Sequence, residues 1–197
     1  MKDIEIIQVN IYGEDKPGLT TALTGILANY DAFILDIGQA NIHKSLTLGF
    51  LIKTTPELSG FIMKDLLFKA SELGVNIRFS SVDREAYDAW VLRQGKNRYI
   101  ITLLGRQVTA RQIADVTKVV FDYGLNIDAI KRLTGRMPLE GLDVNATKSC
   151  IEISVRGILD DVTRHKFQNE LMSLPEQGLD ISFQRDDIYR RSRRLIC

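Results

Sequence analysis

Apolar and polar residues alternate from the start of the chain. Ile7, Val9 and Ile11 are separated by Gln8 and Asn10, the period-two pattern of a half-buried strand. A loop follows over 13–18, and then Leu19, Leu23, Ile26, Leu27 and Tyr30 recur at helical spacing as one apolar stripe. Phe33, Leu35 and Ile37 return to alternation, His43-Lys44-Ser45 predicts a turn, and Leu46, Leu48, Phe50 and Ile52 predict a third strand. Pro56 and Gly60 punctuate the chain before Ile62, Leu66, Ala70 and Leu73, a second helix stopped at Gly74. Val75, Ile77 and Phe79 alternate with Asn76, Arg78 and Ser80 as a fourth strand. The predicted order is strand, helix, strand, strand, helix, strand.

The same order then repeats, and internal repetition is the strongest signal in the sequence. Ile100, Thr102 and Leu104 open the second copy, with Tyr99, Ile101 and Leu103 on the opposite face. Ile113, Val116, Val120 and Tyr123 form a helix stripe, Leu125, Ile127 and Ala129 a strand, and Ile151, Ile153 and Val155 another. A helix from about Leu159 to Leu174 is stopped by Pro175 and Gly178, and Leu179, Ile181 and Phe183 close the copy. Ile11-Tyr12-Gly13 matches Leu103-Leu104-Gly105, and Gly74-Val75-Asn76-Ile77 matches Gly178-Leu179-Asp180-Ile181. The extra length of the second copy falls at Gly135–Ser149, where Pro138, Gly141 and Asn145 predict a long hairpin loop. The fold class expected is α+β: two tandem ferredoxin-like βαββαβ domains, each an antiparallel sheet with two helices on one face.

Boundaries follow from the pattern: a first domain over 1–82, a linker over 83–96, a second domain over 97–186 and a basic tail over 187–197. Within the linker Tyr87, Trp90 and Val91 sit at helical offsets. Two readings stand, a short linker helix packed on one domain or an aromatic platform for a ligand. The sheet faces away from the helices also carry apolar residues, Ile4, Ile6 and Tyr12 in the first copy and Tyr99 and Ile101 in the second. Those faces, or the sheet edges, are expected to meet another module or subunit.

Composition narrows the function classes. Of 197 residues, 45% are apolar and 26% charged, and the formal net charge is +1. This is an ordinary globular balance, without the broad positive field that nucleic acid or an anionic membrane surface calls for. No stretch approaches the roughly 20 apolar residues of a membrane span, and Met1-Lys2-Asp3-Ile4-Glu5 lacks the apolar core of a signal peptide. The expected location is cytoplasmic. RNA-recognition modules share the βαββαβ order but place aromatics on the open faces of their first and third strands, where the first copy offers mainly Ile, Leu and Val with Phe50 and the third strand of the second copy has no aromatic. Cys150 and Cys197 have no metal-ligand spacing and predict no disulfide framework, and His43 and His165 stand alone. No catalytic set and no metal set is expected, and Asp160-Asp161 reads as a helix start.

One loop carries candidate chemistry. Gly13-Glu14-Asp15-Lys16-Pro17-Gly18-Leu19-Thr20 joins the first strand to the first helix. Pro17 fixes φ and Gly18 permits a sharp bend. The amides of Gly18, Leu19 and Thr20 fall among the unpaired donors of a helix start, where the dipole favours a carboxylate. Asp15 can receive an ammonium group. Both halves of an α-amino acid are thereby addressed; the alternative is plain capping by Asp15 or Thr20.

Strand, Gly13-x-Asp15-x-Pro17-Gly18-Leu19, amphipathic helix: this arrangement, with the repeated βαββαβ order, resembles the ACT domain family of amino-acid-binding regulatory modules. The resemblance implies ligand contacts at Gly18 and its neighbours, polar contacts from Gln39 and Asn41 on the adjoining strand, and binding where paired modules meet, so a homodimer is expected. In the second copy the loop reads Gly105-Arg106-Gln107-Val108-Thr109, and only Gly105 carries over, matching Gly13.

The tail adds a second resemblance. Arg190-Arg191-Ser192-Arg193-Arg194 precedes Leu195-Ile196-Cys197, a basic run entering what looks like the first half of a buried strand. The whole arrangement is similar to the N-terminal region of bacterial phosphoserine phosphatases with tandem ACT domains, in which such a strand leads to an Asp-x-Asp-x-Thr nucleophile motif. No Asp-x-Asp occurs here. The resemblance implies a non-catalytic fragment sensing a small amino acid, L-serine, for an attached phosphatase domain. It implies no cofactor in this chain and Mg²⁺ in that missing domain. The alternative is a free-standing tandem ACT regulator acting through protein contacts.

Overall fold

A computed structural model describes residues 4–134, 148–174 and 178–186. The chain divides into two units, Met1–Leu92 and Arg93–Cys197. The first contains β1 (Glu5–Glu14), α1 (Leu19–Asn29), β2 (Phe33–Ile42), β3 (Ser45–Thr54), α2 (Pro56–Leu73) and β4 (Asn76–Val82), followed by α3 (Arg84–Gln94), which runs on to the division. The second contains β5 (Asn97–Gly105), α4 (Ala110–Asp122), β6 (Asn126–Arg132), β7 (Ser149–Gly157), α5 (Asp161–Ser173) and β8 (Leu179–Arg185). The sheets are ordered β2-β3-β1-β4 and β6-β7-β5-β8, with every neighbouring pair antiparallel. The expected ferredoxin-like order is therefore present twice. The hairpin expected over Gly135–Ser149 lies outside the described residues from 135 to 147, as do Pro175 and the basic tail after Asp186. Among the described residues no helix is long and apolar enough to cross a membrane.

Each core lies between one sheet face and its two helices. In unit 1, Val9, Ile11, Leu46, Leu48, Phe50 and Ile52 from the sheet meet Leu19, Leu23, Leu27, Ile62, Leu66 and Ala70 from α1 and α2. Each large side chain removed from water in this way contributes about 1.5–3 kcal/mol. In unit 2, Tyr99, Ile101, Leu103, Ile153 and Val155 meet Val116, Val119, Val120, Phe167 and Leu171. This overturns the expectation that Tyr99 and Ile101 lie on the face away from the helices: both are buried in the core. Both phases of β5 are apolar, so alternation alone does not say which one faces the helices. The glycine match does, since Leu103 precedes Gly105 as the buried Ile11 precedes Gly13. In unit 1, Ile4 and Tyr12 are exposed, whereas Ile6 is buried outside the core cluster, on the face that α3 covers.

The helix ends are closed by local chemistry. Asp31, Gly74 and Gly124 take left-handed φ values of 48°, 69° and 64°. After each, an amide reaches back five residues, Ala32 to Leu27, Val75 to Ala70 and Leu125 to Val120, the bond that satisfies a terminal carbonyl. The α4 start has a capping box: Gln112 N–H donates to Thr109 Oγ1, and Thr109 N–H donates to the Gln112 side chain. Asp160 caps α5 by accepting from the Thr163 amide at 2.7 Å. That bond, then the Thr163 hydroxyl, holds the Asp160 carboxyl below its ordinary pKa.

The two helices of each unit are also clasped by a tyrosine. Tyr30 donates its hydroxyl to Asp65 at 2.6 Å, and Tyr123 donates to Glu170 at 2.8 Å. The hydrogen bond to the carboxylate raises each phenol above its ordinary value near 10, with smaller contributions from desolvation and the carboxylate charge. A group whose folded pKa is raised contributes fully below its unfolded value and loses that contribution as pH climbs through the folded one.

Two outcomes follow. Thr109→Ala lowers the stability of the chain by about 1 kcal/mol in urea unfolding, with an unchanged slope. Tyr30→Phe lowers the melting temperature by a constant amount between pH 7 and 9, and the gap to the parent closes above about pH 10.

Candidate functional site

The bend at the start of α1 brings the expected residues together. Gly18 precedes the helix with φ 84° and ψ −5°, and no side chain caps this terminus. The capping alternative, by Asp15 or Thr20, is therefore not what the structure has. Instead the two side chains end a polar chain across the neighbouring strand. Thr20 Oγ1 donates to Gln39 Oε1 at 2.9 Å, Gln39 Nε2 donates to Asn41 Oδ1 at 3.4 Å, and Asn41 Nδ2 donates to Asp15 Oδ2. Gln39 and Asn41 share one face of β2 because they are two residues apart on a strand. All four side chains make these contacts at the exposed surface.

The helix amides beside this chain are mostly open. Leu19 N–H donates to Lys16 O at 3.3 Å, and its side chain is buried in the core. The expectation that its amide is available is corrected accordingly: a left-handed Gly18 folds the turn back so that Leu19 N–H meets Lys16 O. The first amide to find a carbonyl a full turn back is Ala22, which reaches Gly18 O at 2.9 Å. The amides of Gly18, Thr20 and Thr21 have no partner among the described residues, as expected of a first helical turn without a cap. A carboxylate placed there would meet N–H donors and the positive end of the dipole, and Asp15 stands nearby as an anionic counterpart.

The loop is fixed at both sides. Asp15 N–H donates to Lys44 O at 2.8 Å, which ties it to the β2–β3 turn. Lys16 Nζ donates to Leu73 O at 2.9 Å, at the carbonyl end of α2 where a cation is favoured. The Lys16 contact was not foreseen; a lysine three residues after a strand glycine gives no signal in the sequence that it will reach a helix end 57 residues away. Gly13 is required by close packing, since a Cβ there would lie 2.8 Å from Val75 Cγ1.

The second copy repeats the packing and not the site. A Cβ on Gly105 would lie 2.9 Å from Gly178 O, so this glycine serves the approach of β8 to β5. The α4 start ties up the Gln112 amide, and the Thr109 amide before it, in the Thr109–Gln112 box. Asp-x-Pro-Gly is absent from the loop. At the level of backbone chemistry the two helix starts are opposites, one capped and one open.

Comparison with known proteins bears on both units. An ACT domain profile matches residues 5–80, and a second ACT domain profile matches residues 98–184. A phosphoserine phosphatase of Streptomyces coelicolor is 27% identical over 195 residues, which cover 98% of this chain and 43% of that protein. A phosphoserine phosphatase of Mycobacterium tuberculosis is 29% identical over 143 residues, 72% of this chain and 34% of that protein. The chain thus spans less than half the length of these curated relatives. A crystal structure of an unknown protein from Galdieria sulphuraria shares the fold, with a TM-score of 0.71 at 17% identity, over 93% of this chain and 99% of that one.

Removing the tie at α2 tests whether it holds the loop. Lys16→Met raises amide hydrogen exchange at Asp15 and Leu19, the bonded amides of the loop, by about ten-fold while Leu23 and Leu27 exchange as before. Unchanged exchange at the loop would show that Lys44 alone fixes it.

Proposed function

We infer that this chain, which belongs to the ACT domain family in both of its units, binds a small amino acid at the start of α1 and regulates a phosphoserine phosphatase. The observation that carries the reading is the uncapped α1 terminus, whose free amides lie beside the connected side chains of Thr20, Gln39, Asn41 and Asp15. A zwitterion complements that arrangement: its carboxylate toward the amides of Gly18, Thr20 and Thr21, its ammonium toward Asp15. Gln39 and Asn41 supply amide groups for a short polar side chain, and L-serine is the ligand that uses them with its hydroxyl. Pro17 and Leu19 support the bend from either side, and Gly105 enters as the packing glycine of the second unit.

The proposed setting is a cytoplasmic enzyme that hydrolyses O-phosphoserine, the last step of serine synthesis, in a catalytic domain beyond this chain. Support comes from the similarity to two phosphoserine phosphatases, both much longer than the chain. Mg²⁺ belongs to that domain, and this region is non-catalytic. Regulation requires the amino acid to bind one arrangement of a homodimer better than another. The edge strand β2, which carries Gln39 and Asn41 on an exposed ladder, supports a partner subunit at this site.

Calorimetry with L-serine on the 197-residue chain gives saturable heat, and glycine binds more weakly. Asp15→Ala and Asn41→Ala each weaken L-serine by roughly ten-fold, about 1.4 kcal/mol, and L-serine methyl ester, which has no carboxylate, does not compete. Absence of heat and of any thermal shift at millimolar L-serine and glycine sinks the reading.

A further inference from the structure

Glycines on a strand usually answer a steric need, and two in the first sheet do not. Gly38 of β2 and Gly49 of β3 are direct cross-strand partners. Neither has a positive φ. A Cβ on Gly38 would meet nothing within 4 Å, and one on Gly49 would make only ordinary contacts, the nearest 3.7 Å from Asn10 Oδ1. Glycine weakens a strand, because it adds backbone freedom to the unfolded chain and packs no side chain. The fold therefore accepts a cost here for which the backbone gives no reason. The second unit shows the alternative: at the equivalent places, opposite Thr102 as Gly49 is opposite Asn10, stand Lys131 and its partner Glu152.

What the bare pair opens is a cavity of about 360 Å³, within the size range of small-molecule sites. It lies on the sheet face away from the core. Gly38 and Gly49 form the floor, Gln8 and Leu51 stand beside them, and Tyr87 and Trp90 of α3 form the opposite wall. The two rings are 5.8 Å apart and inclined at 35°. Asp36 is brought to the rim by a bulge between Ile34 and Asp36, a device that re-aims a strand side chain. One oxygen of Asp36 accepts the Ile37 amide at 2.9 Å, and the other has no partner among the described residues. Among the described residues no lysine, arginine or histidine lines the cavity. Two aromatic rings and one carboxylate, with no positive charge among the described lining residues, suit a cation and repel an anion.

We propose that this cavity is a second binding site, distinct from the α1 loop, that takes a small organic cation, an amine or guanidine, seated on the Gly38–Gly49 floor against Trp90 and Tyr87 with its charge toward Asp36. The α-amino acid zwitterion fits less well, because among the described lining residues no cationic side chain balances the charge of its carboxylate. The site reads on α3, the helix that leads out of the first unit.

Trp90 is the single tryptophan of the chain, so its emission reports on this cavity directly. Agmatine, putrescine and tetramethylammonium are the probes, titrated against the 197-residue chain with excitation selective for tryptophan. At least one of them shifts or quenches Trp90 emission to saturation. Asp36→Asn raises the half-saturating concentration about ten-fold, Gly38→Val abolishes the response without lowering the melting temperature, and Asn41→Ala leaves the response as in the parent. The proposal is overturned if none of the three cations gives a saturable change. It is equally overturned if Asp36→Asn and Gly38→Val titrate like the parent, or if emission follows protein concentration instead, which would make a second copy the occupant.

Discussion

A helix begins with amides that its own turns cannot satisfy, and the chain handles this in different ways at different helices. Thr109 and Asp160 cap α4 and α5 with side-chain oxygens, and Pro56 at the start of α2 removes one donor outright. At α1 a left-handed glycine starts the helix and supplies no side-chain acceptor. Everything local to the site is arranged around that open terminus: Lys16 and Lys44 hold the loop from two directions, and Gln39 and Asn41 bridge Thr20 to Asp15. Such an end is costly when buried and empty, and it is tolerable here because the loop from Asp15 to Gly18 is exposed.

Much of the fold was legible because its periods are clean. Leu46, Leu48, Phe50 and Ile52 alternate without interruption and are all buried, and Ile62, Leu66 and Ala70 keep the helical period and face the same core. Tyr99 and Ile101 went wrong because β5 is apolar in both phases, so the side that turns inward depends on which residues the helices can reach. β2 was legible as a strand and not as a surface: its bulge resets the alternation after Ile34. Of the candidate site, Asp15 and Thr20 were expected from the loop motif and Gln39 and Asn41 from the family resemblance, and the structure connects the four side chains. Lys16 and the Gly38–Gly49 pair were not, because their importance lies in neighbours distant in sequence.

The two copies make a controlled comparison within one chain. Both keep the close-approach glycine at the end of the central strand, Gly13 and Gly105, and both clasp their helices with a tyrosine on a carboxylate. They part company on the sheet face away from the core. In the second unit that face carries charge: Arg156 pairs with Asp128 at 2.8 Å, and Arg98 lies beside Asp186 and donates to Ser154. In the first unit the corresponding strands offer Gln8, two glycines and Leu51 beneath aromatic residues of α3. What folding demands is shared; what differs lies where folding makes no demand.

β2 has a further implication. It is an edge strand of ten residues, and among the described residues its ladder partner is β3 alone. Phe33, Ile37 and Ile42 are 62%, 51% and 77% exposed, and Asp36 is its single charged side chain. An edge of that length and apolarity is a template for further strand pairing. That strip of backbone favours self-association of the protein in concentrated solution, and a near-neutral charge balance supplies little repulsion to oppose it.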